Sequence, residues 1–437
     1  MLKVVKFGGS SLADAEHFRK VRQIIEEDPA RRYVVPSAPG KRFSADEKVT
    51  DLLYQCYYNK NDRQLFDETF QKITDRYMQI ENDLGVDSGV REALEEIRYE
   101  MLFQGTSDYA ASRGEYLNGR ILAAYLGIPF VDAAKVIVFD ENGNLNPALT
   151  EISLREKLRE TERAVIPGFY GATPSGRIVT FSRGGSDITG SLVAVGVKAD
   201  LYENWTDVSG CLKADPRVVK RATPISIVTY NELRELSYMG ASVMHEEAIY
   251  PARQMNIPIQ IMNTNKPEDP GTKIVARVTK EQIRERGIVT GIAGKRGFCI
   301  ITLEKNMMHN EIGFGRKALS VLETNGLSFE HMPSGIDTLS LVMEERTIRD
   351  FDQLLADLTQ ACQTDSIEVI HHVSLIAVVG QGMAGQKGTA ARIFTALAKA
   401  DVNVMMFDQG SNEMNIIVAV DDEDFPAAVN AVYDEFE

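Results

Sequence analysis

The feature that most restricts how this chain can fold is a pattern that occurs twice: an apolar strand, a Gly-Gly-Ser turn, then an amphipathic helix. In residues 178–208, Ile178, Val179 and Phe181 make the strand and Gly184-Gly185-Ser186-Asp187 the turn. Leu192, Val193 and Val197 face the core, and Ser186 or Asp187 is the expected helix cap. The chain opens the same way, with a buried strand over 2–7, the turn Gly8-Gly9-Ser10-Ser11, and Phe18, Val21, Ile24 and Ile25 on the inner face of a helix. Such turns present backbone N–H groups at the positive end of a helix dipole, and here a cation, Lys6 or Arg183, stands beside each. The pair suits one polyanion or two anions held in an α/β fold. Glycines between strand and helix also serve ordinary loops, so either turn alone leaves both readings open.

A length of 437 residues allows two or three domains with sizeable cores. The net charge of -15 argues against nucleic acid or an anionic membrane as partner, since either needs a basic face. Local cations must overcome that field if the ligands are anions, which gives weight to Lys6, Arg183 and Arg217. Cys56, Cys211, Cys299 and Cys362 are scattered without a Cys-x-x-Cys pair, as expected of reduced, buried thiols in a cytoplasmic protein. Neither a leader segment nor a membrane-spanning run is expected. Six histidines without ligand spacing argue against a zinc site, and His371-His372 reads as structural.

Residues 33–42 read as a short strand entering a loop, with Ser37 at the strand end where α/β sheets collect ligands. Lys41 and Arg42 also suit a solvated loop. Residues 48–125 are helical, with Phe66, Phe70, Ile73, Tyr77, Ile80 and Leu84 on one stripe and Val90, Leu94, Ile97 and Met101 on another. In the last of these helices Gly114 precedes Glu115, leaving room for a ligand to approach a carboxylate that would otherwise be a solvated surface group. Strands are expected over 136–139, 164–169 and 258–263, and a helix over 230–239 ending at Gly240. The polar turn residues of 267–271 read as a domain exit. Beyond it, 315–343 and 390–418 superpose without a gap at an offset of 75, pairing Leu319 with Phe394, Leu322 with Leu397 and Gly335 with Gly410. Strands over 298–302 and 373–379 and helices over 351–362 and 425–436 complete each copy. A paired α/β repeat suits either a dimerisation module or a regulatory half with ligand sites between matched copies.

Lys6-Phe7-Gly8-Gly9-Ser10-Ser11, Ser112-Arg113-Gly114-Glu115, Arg183-Gly184-Gly185-Ser186-Asp187, Trp205-Thr206-Asp207-Val208 and Asp215-Pro216-Arg217, in this order, resemble aspartate kinase along the whole chain. The likeness is greatest to the monofunctional, lysine-type members of that family. It implies a three-layer αβα amino-acid-kinase domain over 1–283, with aspartate and ATP lobes, and two ferredoxin-like ACT domains over 284–437. The first ACT domain, about 298–368, would be inserted into the second, made of 284–297 and 370–437.

The implied reaction moves the γ-phosphoryl of Mg2+-bound ATP to the β-carboxylate of L-aspartate, giving 4-phospho-L-aspartate. A carboxylate with a pKa of about 3.9 needs no general base, which leaves positioning and charge neutralisation as the catalytic task. By motif match, Lys6 and Asp187 are catalytic, with Lys6, Gly8, Gly9 and Ser10 on the transferring phosphoryl group. Arg183 takes the aspartate α-carboxylate, a bidentate task, and Glu115 its ammonium, with Ser37, Thr50, Gly184, Gly185 and Ser186 around it. Thr206, Asp207, Leu212, Lys213 and Arg217 are the ATP residues, and no protein metal ligands are expected. Two positions depart from the family pattern. Leu212 stands where tyrosine is common and Ser242 where lysine is common, so adenine and ribose contacts differ and Lys213 is available to replace one.

In the first repeat Met307, Gly313, Ser328, Phe329, Glu330 and Ser334 match positions that bind a feedback amino acid in relatives, with lysine the first expectation and threonine acting jointly the second. A homodimer or homotetramer through the ACT domains is implied. The alternatives are another amino-acid kinase, acting on glutamate or acetylglutamate, and a catalytically dead amino-acid sensor. The ACT pair argues against the first, and intact Lys6, Glu115, Arg183 and Asp187 argue against the second.

Overall fold

Short β-branched and aromatic runs bounded by turn residues become strands, the central ones buried on both faces, and seven of them among the described residues make the sheet that positions the site. The computed structural model describes residues 1–182, 184–241, 244 and 246–437. Two compact units are present. Met1–Cys211, Pro224–Asn231 and Val243–Val278 make the first, and Leu212–Thr223, Glu232–Ser242 and Thr279–Glu437 the second.

In the first unit the strands run in spatial order Ala164–Val165, Arg31–Pro36, Lys3–Phe7, Leu201–Thr206, Ile259–Asn263, Thr272–Val275, Ile227–Thr229. Neighbours pair in parallel except Ile259–Asn263 with Thr272–Val275. The chain leaves Lys3–Phe7 toward one edge and returns on its other side with Leu201–Thr206, so the carboxyl ends of these two strands form a topological switch point. Helix Ala15–Glu27, capped by Asp14, buries Phe18, Val21, Ile24 and Ile25 as its spacing predicts. The helical stretch resolves into Val49–Tyr58, Arg63–Leu84, Val90–Phe103 and Ser107–Leu126, whose expected stripes join one core with the first strand.

Three expectations are corrected. Residues 136–139 are not a strand, because Asp132 caps a single 3-10 turn, Ala133–Lys135, and Val138 and Phe139 then make only isolated bridges. The strand expected over 164–169 is Ala164–Val165 alone; Pro167, with no N–H to donate, and Gly168 follow it. The chain does not leave the domain at 267–271 either. That turn joins two paired strands, and the first unit continues to Val278.

In the second unit an antiparallel five-stranded sheet has the order Thr338–Glu344, Gly291–Glu304, Ser366–Val379, Asn415–Asp421, Met406–Asp408. The repeat is visible residue for residue, in helices Phe314–Thr324 and Thr389–Lys399 and in the strands Gly291–Glu304 and Ser366–Val379, which absorb the shorter strands expected there. These two long strands serve two cores. Ile301 and Leu303 pack with Phe314, Leu341 and Leu358, whereas Ile292, Ile376 and Val378 pack with Ile393, Val418 and Val432. Within the same unit Glu232, wholly buried on helix Tyr230–Tyr238, accepts from Arg286, Thr290 and the Gln381 amide. All four cysteines are free and buried. No helix among the described residues is long and apolar enough to cross a membrane.

Candidate active site

Parallel register places Lys6 opposite Asn204, and both side chains reach the switch point. Lys6 Nζ lies 2.6 Å from Asp187 Oδ1 and 3.4 Å from Asn204 Oδ1, while Asn204 Nδ2 donates to the same Asp187 oxygen at 3.0 Å. Lys6 is 7% exposed. This triplet brings the two glycine units together. After Lys3–Phe7 the chain takes a 3-10 turn, Gly9–Leu12, and after Ile178–Thr180 it enters helix Gly185–Gly196.

The second helix does not start as its sequence predicts. Its cap is Gly184, at φ 60°, and among the described residues no side chain caps it. Ser186 and Asp187 already lie inside the first turn, and Asp187 is thereby free to meet Lys6. The first-turn N–H groups are left for an anion. Gly185 is required by close packing, since a Cβ there would come within 2.6 Å of the Phe169 ring. Phe169 itself holds φ 78°, fixed by Thr189 Oγ1 and the Phe181 amide.

Glu115 lies on Ser107–Leu126, 6% exposed, and its Oε2 has no hydrogen-bond partner among the described residues. Burial pushes its carboxyl up to about 8, although the Ala38 amide and the charges of Arg113 and Lys6 pull the other way. Gly114 admits not a ligand but the chain's own loop, as a Cβ there would meet Ala38 Cβ at 2.8 Å. That loop carries Ser37, whose amide bonds the Phe7 carbonyl and whose carbonyl accepts from Asn118. Thr50 is in the first turn of Val49–Tyr58. Thr206 ends its strand and donates to the exposed Asp207.

Leu212, Lys213 and Arg217 belong to the second unit, where Lys213 pairs with Glu437 at 2.5 Å and the exposed Arg217 with Asp215. Arg183 and Ser242 lie outside the described residues. In the second unit Gly313 caps Phe314–Thr324 at φ 86°, Met307 and Phe329 are exposed, and Ser334 bridges Leu339. Ser328 is exposed, and Glu330 Oε2 accepts from Tyr238 at 2.5 Å. Sequence reasoning missed Asn204, whose only signal is its place opposite Lys6 on an adjacent strand.

The amino acid kinase family matches residues 1–263, and an ACT domain matches residues 376–436. Aspartokinase 3 of Bacillus subtilis is 40% identical over all of this chain and 98% of its own length. The crystal structure of Clostridium acetobutylicum aspartate kinase superposes with a TM-score of 0.91 at 50% identity, covering all of both chains. Escherichia coli aspartokinase III, solved with aspartate and ADP, shares the fold at a TM-score of 0.73 and 24% identity, over all of this chain and 99% of its own. The chain belongs to the amino acid kinase family. It is an enzyme with aspartate kinase activity, phosphorylating the β-carboxylate of L-aspartate from ATP, and its C-terminal ACT domains regulate it.

Proposed function

We propose that phosphoryl transfer takes place at Lys6, between the two glycine turns. The observation that carries this reading is the Lys6, Asp187 and Asn204 triplet at the switch point, where the buried cation of the first glycine unit meets the first turn of the second, neither turn having a side-chain cap among the described residues. Lys6 with Gly8, Gly9 and Ser10 neutralises the transferring group as its bond to ADP breaks and the bond to the aspartate carboxylate forms. Asn204 and Asp187 hold the ammonium in place. Glu115 accepts the substrate ammonium, Arg183 takes the α-carboxylate by motif position, and Ser37, Thr50, Gly184, Gly185 and Ser186 shape the aspartate pocket. Thr206 and Asp207 border the nucleotide.

Among the described residues no group of three or more His, Cys, Asp or Glu side chains could hold a metal ion. This donor set suits Mg2+ carried mainly by nucleotide phosphates and water, with the Asp187 carboxylate at hand. The ion supplies charge neutralisation when bound.

For regulation, we propose that the first repeat, about 298–368, binds the feedback amino acid at Met307, Gly313, Ser328, Phe329, Glu330 and Ser334, lysine first and threonine jointly. The separate cores along the long strands support placing the boundary near residue 298, with 284–297 joining 370–437. Exposed Ile312, Phe329, Ile336 and Phe407 on the second unit support assembly of a homodimer or homotetramer through the ACT domains. The test is aspartate-dependent ADP release titrated with lysine and threonine. Inhibition at millimolar effector supports the regulatory site, and no response to either, alone or together, removes it.

A further inference from the structure

The loop after Arg31–Pro36 touches the first glycine turn more closely than a solvated loop would. Gly40 lies on the Gly9–Ser10 peptide: its amide donates to the Gly9 carbonyl at 2.8 Å, and a Cβ on Gly40 would stand 2.7 Å from the Ser10 nitrogen. From the other side Arg76, on Arg63–Leu84, donates Nη2 to the Gly40 carbonyl at 2.7 Å and Nη1 to Asp46 Oδ2 at 2.9 Å. Asp46 also accepts from the Arg42 backbone amide, Nε and Nη2, each at 2.9 Å, closing the loop on itself. The Arg42 and Arg76 guanidiniums hold its carboxyl far below the usual carboxylate range. Arg76 and Asp46 side chains are 6% and 9% exposed. Burying a guanidinium is costly unless its donors are used, and one arm of this fork is used on the carbonyl of the residue that packs against Gly9.

We propose that Arg76, braced by Asp46, is a positioning residue for phosphoryl transfer, setting the Gly9–Ser10 peptide against the bound phosphates through Gly40. This rests on the assignment of Lys6, Gly8, Gly9 and Ser10 to the phosphoryl group. Ser37, on the aspartate side of the same loop, is held independently by the Phe7 carbonyl at 3.0 Å and by Asn118 Nδ2 at 2.7 Å. The brace therefore acts mainly on the nucleotide end of the reaction, through Gly9 and Ser10, and less on the aspartate end.

The experiment is steady-state kinetics of the full chain with ATP and aspartate varied in turn, on Arg76→Met, Arg76→Lys and Asp46→Asn beside Lys6→Ala. Arg76→Met is expected to lose about tenfold to a hundredfold in kcat/KM for ATP, because small misplacements of a positioning group cost that much. Arg76→Lys, which keeps the charge but not the fork, loses less, and the KM for aspartate stays within about twofold in every Arg76 variant. Should Arg76→Met fail to fold by circular dichroism, Arg76→Lys and Asp46→Asn carry the same test. A folded Arg76 variant with wild-type ATP kinetics overturns the proposal, as does an equal rise in both KM values, the mark of general loosening. Lys6→Ala separates the two ideas. Near-normal turnover in that variant removes the phosphoryl assignment itself, whereas an inactive Lys6→Ala beside normal Arg76 variants removes only the brace.

Discussion

Lys6 Nζ and Asp187 Oδ1 are 2.6 Å apart, so the end of the first strand and the first turn of a helix more than half a domain later act as one electrostatic unit. The contact exists because the helix starts at Gly185, two or three residues earlier than a side-chain cap at Ser186 or Asp187 would have it.

Removing the cation should stop the chemistry without dismantling the fold. Lys6→Ala is expected to lower turnover by about 10³-fold, the scale of losing one aimed charge-stabilising donor. Asp187, 19% exposed at its side chain, can be rehydrated, so the thermal midpoint moves little. ADP-release assays and thermal melts check both parts, and turnover within tenfold of wild type would count against the assignment.

Glu115 should make aspartate binding pH-dependent. With its carboxyl near 8, the free enzyme is mostly protonated there at pH 6–7, and the substrate ammonium must draw off that proton. The aspartate KM is therefore expected to fall as pH rises toward 8, by up to about tenfold per unit. The sign for stability is opposite. A carboxyl whose folded pKa is raised binds more protons folded than unfolded, so free-enzyme stability declines from about pH 4.5 to 8, by at most about 1.4 kcal/mol per unit. Glu115→Gln should flatten both profiles, and an unchanged KM profile in that variant would refute the role.

Glu203 predicts a purely structural loss. It is 3% exposed and accepts from Lys3 at 2.6 Å, Arg31 at 2.8 Å and the Trp205 indole at 2.9 Å. Glu203→Gln removes the carboxylate that Lys3 and Arg31 share, although Lys3 keeps Asp28 at 2.8 Å, and is expected to cost about 1.5–3 kcal/mol in urea unfolding. The emission of Trp205, the single tryptophan, follows the transition, and a shift below about 1 kcal/mol would show the network to be redundant.

Tyr238 should compete with the effector. Its hydroxyl donates to Glu330, and that bond pushes the phenol up to about 12. An effector ammonium arriving at Glu330 must displace it, so Tyr238→Phe is expected to lower the half-inhibitory lysine concentration about threefold to tenfold. An unaltered inhibition curve would place the effector elsewhere.

What could be read from the sequence was whatever local periodicity or repetition encodes. The Phe66 to Ile80 stripe, the strand that carries Lys6, and the alignment of Phe314–Thr324 on Thr389–Lys399 all follow from spacing alone. What escaped depends on residues meeting from distant segments. Asn204 gains its role only when two strands lie side by side. Arg76 looks like one more polar residue on a helix until Gly40 and Asp46 arrive. Residues 136–139 carry strand-forming side chains but find only single bridging partners, and Gly114 makes room for Ala38 where a ligand approach was expected. In each of these the deciding term is tertiary packing, which no propensity contains.

Gly291–Glu304 and Ser366–Val379 lie antiparallel from end to end, each threading one core with one half and the other core with the other. The halves of the C-terminal region are thus woven, not strung. A cut that excised either copy would strip the survivor of a central partner strand and bare a long unpaired edge, so neither should persist as a separate soluble piece.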